Sequence, residues 1–368
     1  MIKGINIMQS TWKILPLLVV LNSFLPVAMA REFSQVYDSY RHALEIGNLS
    51  DARKFAEEAY QLGEAKFGKD SLNYANLGLN FAKALRDDSS KKYVERKTQA
   101  TEVAKNSLAI YRTHFEGTAT ELIEPLMVVG DVTQDNRLAR ESYKSALEIA
   151  EDSGKPDILA VTQMGAFKRL SHTEFYDRSL FSGLEDAHEY FINSLPPNAV
   201  DRLEATYLLA RAYHGQKKYS KAEPLYLEVI KGYDVLDFTH PYSLSSHSRL
   251  VELYEHEGER DKATKHCIAI GSMTPWDDNQ EQTPLFRKPA KYPINLAKRG
   301  KDGWVEVHFT VDEMGMVRDP KVTRSSGGRA FEAAAVEAVS AWRFAPKFED
   351  GKPVKAKTAV KMAFEIAK

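Results

Sequence analysis

Histidine is the side chain best placed for acid–base or metal chemistry near neutral pH, and the chain has ten. Four of them, His240, His247, His256 and His266, fall close together in a helical stretch. No two stand four apart with a glutamate between, the spacing that sets two imidazoles and a general base around zinc. No serine occupies a nucleophile elbow, and no glycine-rich dinucleotide fingerprint occurs. Gly327-Gly328 lacks the Lys-Ser/Thr that would hold phosphate and metal, so it reads as a turn. The single cysteine, Cys267, excludes an intramolecular disulfide and any multi-cysteine metal site. It lies in a helical pattern and reads as a small core residue. His308 sits on the polar face of a strand and reads as solvated. Carboxylates are scattered over helical faces. The pattern supports no catalysis and calls for no metal or cofactor.

What the spacing does support is a sheet. Val305, Val307, Phe309 and Val311 alternate with Glu306, His308 and Thr310, as in a half-buried strand. Glu313-Met314-Gly315 makes a turn, and residues 316–323 can return as a second strand. Phe331, Ala334, Ala335, Ala338, Val339 and Trp342 then form one stripe of a short helix. Asp350-Gly351-Lys352-Pro353 is another turn. Thr358, Val360, Met362, Phe364 and Ile366 alternate with Ala359, Lys361, Ala363 and Glu365. With a helix in front, the order is helix–strand–strand–helix–strand, an α+β module of about 80 residues.

The elements before this module are helical. From Phe33 to about Met273, apolar and small residues recur three and four apart, with Gly or Pro between segments. Tyr213, Ala222 and Tyr226 recur as Tyr254, Ala263 and Cys267. Weaker echoes are Gly47 with Ala52, Leu77-Gly78 with Phe81, Ala139 with Tyr143 and Ala146, and Ala187 with Phe191. The spacing resembles the tetratricopeptide repeat, in which an alanine where two helices cross admits a neighbouring aromatic ring. One such pair cannot bury its apolar face alone, so the units must stack into a solenoid with a concave surface. Tyr207 and Arg211 are expected to face that groove, where an unidentified envelope protein would bind.

The tail also carries a resemblance. Tyr292-Pro293 with Ala297, then residues 303–312, Gly315-Met316-Val317 and Ser325-Ser326-Gly327 follow in the order of the TonB C-terminal family. So do Ala334-Ala335, Trp342-Arg343-Phe344-Ala345-Pro346, and Gly351 with Pro353-Val354. The match covers about a quarter of the chain. The resemblance implies a three-stranded antiparallel sheet backed by helices, whose edge leaves backbone N–H and C=O groups unpaired. A partner's extended segment can add to such an edge. In the family the last strand does this with a short segment of an outer-membrane TonB-dependent transporter. Carried over, the partner-binding residues are Thr358, Val360, Lys361, Met362, Phe364 and Ile366, with Tyr292 and Pro293 flanking the bound peptide. Trp342 and Phe344 read as core. The exposed edge also permits two tails to pair as a homodimer.

At 368 residues the chain is long enough for two or three units. It is 43% hydrophobic and 27% charged, as globular proteins are. Its net charge of -1 gives no support for nucleic-acid binding. Residues 280–368 hold 17 Lys and Arg against 11 Asp and Glu, so the tail is about +6 and the remainder about -7. At the other end, Lys3 and Lys13 precede an apolar run from Ile14 to Val27, followed by Ala28-Met29-Ala30 and Arg31-Glu32. This is the form of a secretory signal peptide cut between Ala30 and Arg31. The alternative is an inner-membrane anchor, against which stand a run short of ~20 residues, Pro16, Pro26 and Asn22. The expected domains are a signal peptide at 1–30, helical repeats at 31–273, a linker at 274–287 and the α+β module at 288–368. Two functions follow for an exported protein in the periplasm of a Gram-negative bacterium. One is TonB-dependent transport of the energy-transducer type. The other is a soluble adaptor in envelope assembly without energy coupling. The apolar segment lacks the histidine that the family's anchor bears, and a repeat array stands where the family has a proline-rich spacer.

Overall fold

The computed structural model describes residues 27–88, 93–236 and 238–366. Residues 1–26, most of the expected signal peptide, lie outside them. Ala28, Met29, Ala30 and Arg31 fall in the first helix. No helix among the described residues is long and apolar enough to cross a membrane. By contacts the chain divides into two compact units, Met1–Ala205 and Thr206–Lys368.

The first unit is built of helices in hairpins: α1 (Val27–Glu45) with α2 (Leu49–Phe67), α3 (Leu72–Asp87) with α4 (Tyr93–His114), α5 (Ile123–Val132) with α6 (Asn136–Asp152), and α7 (Pro156–Leu170) with α8 (Arg178–Ser194). Five of these helices start where the sequence supplies an acceptor or a preset φ. Asn48, Ser71, Asp135 and Asp177 accept hydrogen bonds from backbone amides of the first turn, and Pro156 opens α7. Small residues let large ones in. A Cβ at Gly130 or Gly165 would press on the ring of Tyr143, 2.8 and 3.2 Å away. That ring is fully enclosed, and its hydroxyl donates to Asp131 Oδ1 at 2.5 Å. Burial, then Asp131, pushes the phenol well above its ordinary range. Arg86 holds the other oxygen of Asp131 at 3.0 Å. Ala52, Ala139, Ala146 and Ala187, the small residues of the weaker echoes, are all buried.

α9 (Val200–Gly215) runs across the boundary between the units, and the second unit continues with α10 (Tyr219–Tyr233), α11 (Pro241–Glu257) and α12 (Arg260–Met273). Tyr213, Ala222 and Tyr226, and again Tyr254, Ala263 and Cys267, are buried as the repeat spacing requires. These helices form hairpins whose small and aromatic residues are buried at the expected repeat positions. Between α11 and α12, His247 Nδ1 and His266 Nδ1 lie 2.8 Å apart, with Tyr254 stacked on His266. One nitrogen must donate and the other accept, so the accepting ring is neutral and the two rings cannot both be charged while the contact is made. Burial lowers both pKa values, that of His266 to about 4, with His247 and Lys265 adding to it.

The folded pKa of His266 is below its unfolded value. The α11–α12 hairpin is therefore fully stable above pH 6.5 and loses stability as pH falls towards 4, by roughly 3 kcal/mol. Thermal melts at pH 7.5 and 5 check this. Wild type should melt lower at pH 5, and the His247→Gln/His266→Gln variant should show a much smaller difference. An equal drop in both would show that other groups carry the pH dependence.

The remainder of the second unit is the α+β module: α13 (Ile294–Ala297), β1 (Gly303–Val311), β2 (Val317–Ser326), α14 (Arg329–Val339), β3 (Lys347–Glu349), β4 (Lys352–Val354) and β5 (Ala356–Phe364). The antiparallel sheet has the order β2-β1-β5. One face is apolar. Val305, Val307, Phe309 and Val311 of β1 and Val360, Met362 and Phe364 of β5 pack on Phe331, Ala335 and Val339 of α14. Trp342 closes this core, its indole N–H donating to the Lys288 carbonyl at 2.9 Å. The expected turn at 350–353 is the tip of a short hairpin, β3–β4, with Asp350 and Gly351 at positive φ. β2 starts one residue after the expected return strand and runs to Ser326.

Candidate functional site

Both outer strands of a three-stranded sheet expose a backbone edge, and their regularity differs. β2 has register shifts against β1 between Glu306 and Val307 and between His308 and Thr310. Asp319 within it is at φ +51, and Pro320 follows. A bulge twists an edge away, and proline removes a donor, so β2 is a poor template for another strand. β5 pairs with β1 in unbroken register from Ala356↔Val311 to Phe364↔Gly303. Its other side has no strand beside it among the described residues.

The expected partner-binding residues divide by face. Val360, Met362 and Phe364 are buried in the core, so they can offer a partner only their backbone. Thr358 lies half-buried on the same face, opposite Phe309. Lys361 is exposed on the outer face, its ammonium 4.4 Å from the centre of the Trp304 ring. Ile366 lies past the end of β5, and its N–H donates to Asp302 Oδ1 at 3.1 Å. That side-chain acceptor ends the ladder before the expected last residue. Tyr292 makes edge-to-face contacts with Phe331 and Phe364, and its hydroxyl donates to the Lys301 carbonyl at 2.5 Å. Pro293 sets the start of α13. The pair fixes the segment ahead of β1 against the end of β5.

On the outer face, Glu306 receives His308 Nε2 at 2.9 Å and Arg324. These bonds, His308 first, hold its carboxyl below the usual carboxylate range. His308 is half exposed, and its ring is taken up by this contact with Glu306. Tyr207 lies elsewhere than expected. It is buried, its ring stacked on Tyr242 and its hydroxyl 2.6 Å from Ser245. Contacts along α9–α11 consume the side chain that the sequence assigned to a groove. Arg211 is half-buried, its guanidinium 5.7 Å from the Tyr207 ring.

Two features near the edge had no place in the sequence reading. The first is Arg343, fully buried, which reaches from the module to the last helical hairpin. It donates to Glu255 Oε1 at 2.5 Å, Thr264 Oγ1 at 2.7 Å and the Met314 carbonyl at 3.1 Å. Its backbone pairs with Phe286, which ties the polar segment before the module to the same place. The second is a cleft of about 340 Å³ between residues 276–281 and His308 with 357–359 of β5. A tryptophan, Trp276, inside an otherwise polar stretch was the available signal for it.

Residues 288–366 match the family model for the Gram-negative bacterial TonB protein C-terminal. The Protein TonB of Pseudomonas aeruginosa is 38% identical over 81 residues, which are 22% of this chain and 23% of that protein. This chain thus spans about a quarter of that relative's length. A solution NMR structure of the Pseudomonas aeruginosa TonB CTD is 32% identical and covers 25% of this chain and 92% of its own, at a TM-score of 0.22. A crystal structure of a Podosopora anserina putative kinesin light chain with TPR-like repeats is 15% identical. It covers 66% of this chain and 94% of its own, at a TM-score of 0.31. The likeness to the TonB C-terminal family is confined to the tail.

Proposed function

We propose that this protein is a periplasmic member of the TonB system whose C-terminal domain captures outer-membrane transporters by strand addition, with the helical repeats as a scaffold for a second protein. One observation carries the reading. Of the two sheet edges, only β5 is long and unbroken, and its inward side chains already belong to the core. A partner strand laid beside it gains main-chain hydrogen bonds without rearranging the domain. The family likeness supports the transporter as the source of that strand. The scaffold role rests on the hairpin array, which exposes large surfaces by construction.

Amide hydrogen exchange on the full chain tests this, using synthetic peptides copied from the N-terminal segments of outer-membrane TonB-dependent transporters. At ten times the dissociation constant, exchange across residues 356–364 should slow about tenfold, while residues 317–326 keep their rate. Protection of β2 instead, or saturable binding that leaves β5 unchanged, would overturn the mechanism. A second reading, an envelope adaptor without energy coupling, is favoured by the repeat array standing where the family has a spacer. Capture of transporters that survives collapse of the proton gradient would favour that adaptor.

A further inference from the structure

Along β5 the side chains that alternate with the core-facing ones are Lys357, Ala359, Lys361 and Ala363. They lie on the face opposite α14, and both lysines are exposed. Four residues separate the lysines, ~14 Å along the strand. Resting on the strand-addition reading, we propose that Lys357 and Lys361 select the strand that β5 accepts. It is an acidic segment with carboxylates at two positions four residues apart, both turned to the outer face of the sheet.

Neither lysine is neutralised within the chain. Among the described residues neither forms a salt bridge. Lys361 stands opposite Glu306 on β1, but that carboxylate already holds His308 Nε2 and Arg324 Nε, each at 2.9 Å. The Lys361 ammonium lies instead over the Trp304 ring. Lys357 stands opposite Thr310, which carries no charge. Asp277, Asp278 and Glu281 line a cleft that Lys357 also lines. There Asp278 is bound to Lys347 at 2.9 Å, and the Asp277 side chain accepts from the Asn279 amide at 2.8 Å. Both cations are therefore available to a strand laid beside the edge.

A strand added to β5 turns every second residue to the outer face, whichever way it runs. Those of its residues that face Lys357 and Lys361 are four apart too, with Cβ atoms ~5 Å from those of the lysines. Ala359 and Ala363 offer a partner only methyl groups, so the register of the added strand rests on the lysines. A slip of two residues would set both carboxylates beside alanines. A slip of four towards the end of the strand would bring one of them to Glu365. The same lysines disfavour a second copy of this chain. Two β5 strands paired antiparallel about Ala359 would set Lys357 against Lys361 twice. Opposite charges across a strand pair improve binding roughly two- to threefold each, so two such pairs give about fivefold.

Four acetylated decapeptides of alternating Thr and Val test this with the full chain. The first carries Glu at its third and seventh residues, the second Gln and the third Lys at the same places. The fourth carries Glu at its third and sixth residues, which puts the two carboxylates on opposite faces. The first should bind about fivefold more tightly than the Gln peptide, and the Lys peptide about fivefold less tightly, with 356–364 protected from exchange. The fourth, of the same charge as the first, should bind no more tightly than the Gln peptide. Lys357→Glu combined with Lys361→Glu should reverse the order, so that the Lys peptide binds most tightly, a gain that a misfolded domain cannot show. Equal affinity of the first two peptides, with β5 protected, overturns the selection and leaves strand addition standing. So does a fourth peptide as tight as the first, or an unreversed order in the double variant. If none of the four protects 356–364 the selection is wrong, and strand addition falls with it only where transporter segments fail as well.

Discussion

Glu255→Ala is expected to destabilise the second unit by about 3–5 kcal/mol, because it strands a guanidinium that has no contact with water. Arg343 is 0% exposed and its partner carboxylate 7%. Glu255 also faces Arg260, but at 3.9 Å and with that guanidinium half exposed, so Arg343 depends on it far more than Arg260 does. The pair joins α11–α12 to the loop after α14, and Thr264 and the Met314 carbonyl accept from the same guanidinium, whose Nε has no partner among the described residues. A buried ion pair is a poor source of net stability, since desolvating two charges offsets most of their attraction, whereas breaking one exposes the full penalty. The sharper prediction follows from that asymmetry. Glu255→Leu combined with Arg343→Met should recover most of the loss, even though the Thr264 hydroxyl and the Met314 carbonyl lose a donor. Urea unfolding of the three proteins decides it. A single variant within 1 kcal/mol of wild type would mean that water reaches Arg343 and that the hairpin and the module are not locked by this pair. The measurement also bears on the polar segment before the module, because the Arg343 backbone in the same loop pairs with Leu285 and Phe286 at its end.

The two halves of this pair show what a sequence conveys and what it withholds. Trp342-Arg343-Phe344 is conspicuous as a string, and the apolar alternation around it places Trp342 and Phe344 inside. Nothing local marks Arg343 as buried, because its partner lies 88 residues earlier on a helix face full of carboxylates. The strands were legible for the opposite reason. Val305 to Val311 and Ala356 to Phe364 each present one apolar face to one helix, so period two survives along their whole length. β2 is exposed over most of its length and bulged, so its pattern blurs and its end could not be read. β3 and β4, three residues each, are too short to carry a period and show only as a turn. Tyr207 failed as a groove residue because an aromatic on a repeat helix can turn towards either neighbour, and Ser245 and Tyr242 capture it from α11. The cleft beside residues 357–359 arises from where a polar segment is held at Leu285 and Phe286, and within 276–281 Trp276 alone hints at it.

Gly315→Val should be among the most damaging changes in the module, at about 3–5 kcal/mol. Gly315 sits in the β1–β2 turn at φ +75, where a side chain is strained by about 1–3 kcal/mol. The turn itself is strongly built. Asp312 is buried and accepts from the amides of Met314 and Met316 at 3.0 and 2.8 Å, while Arg318 holds its second oxygen at 2.7 Å. The turn has no freedom to relax, since the Phe344 amide also donates to the Gly315 carbonyl at 2.9 Å. A Cβ here would collide with the Phe344 carbonyl oxygen and lie 3.2 Å from Cys267 Cβ on α12. Forcing atoms into such a contact adds a further 1–3 kcal/mol or so. Gly351 supplies the control. It has nearly the same φ, +74, at the β3–β4 tip, and a Cβ there meets nothing within 4 Å. Gly351→Val should therefore show the backbone strain alone. The difference between the two variants in urea isolates the cost of parting the turn from Phe344 and α12, and it should be at least about 1 kcal/mol. Equal losses would mean that the turn and α12 are not in fixed contact, and that the module moves on its hairpin.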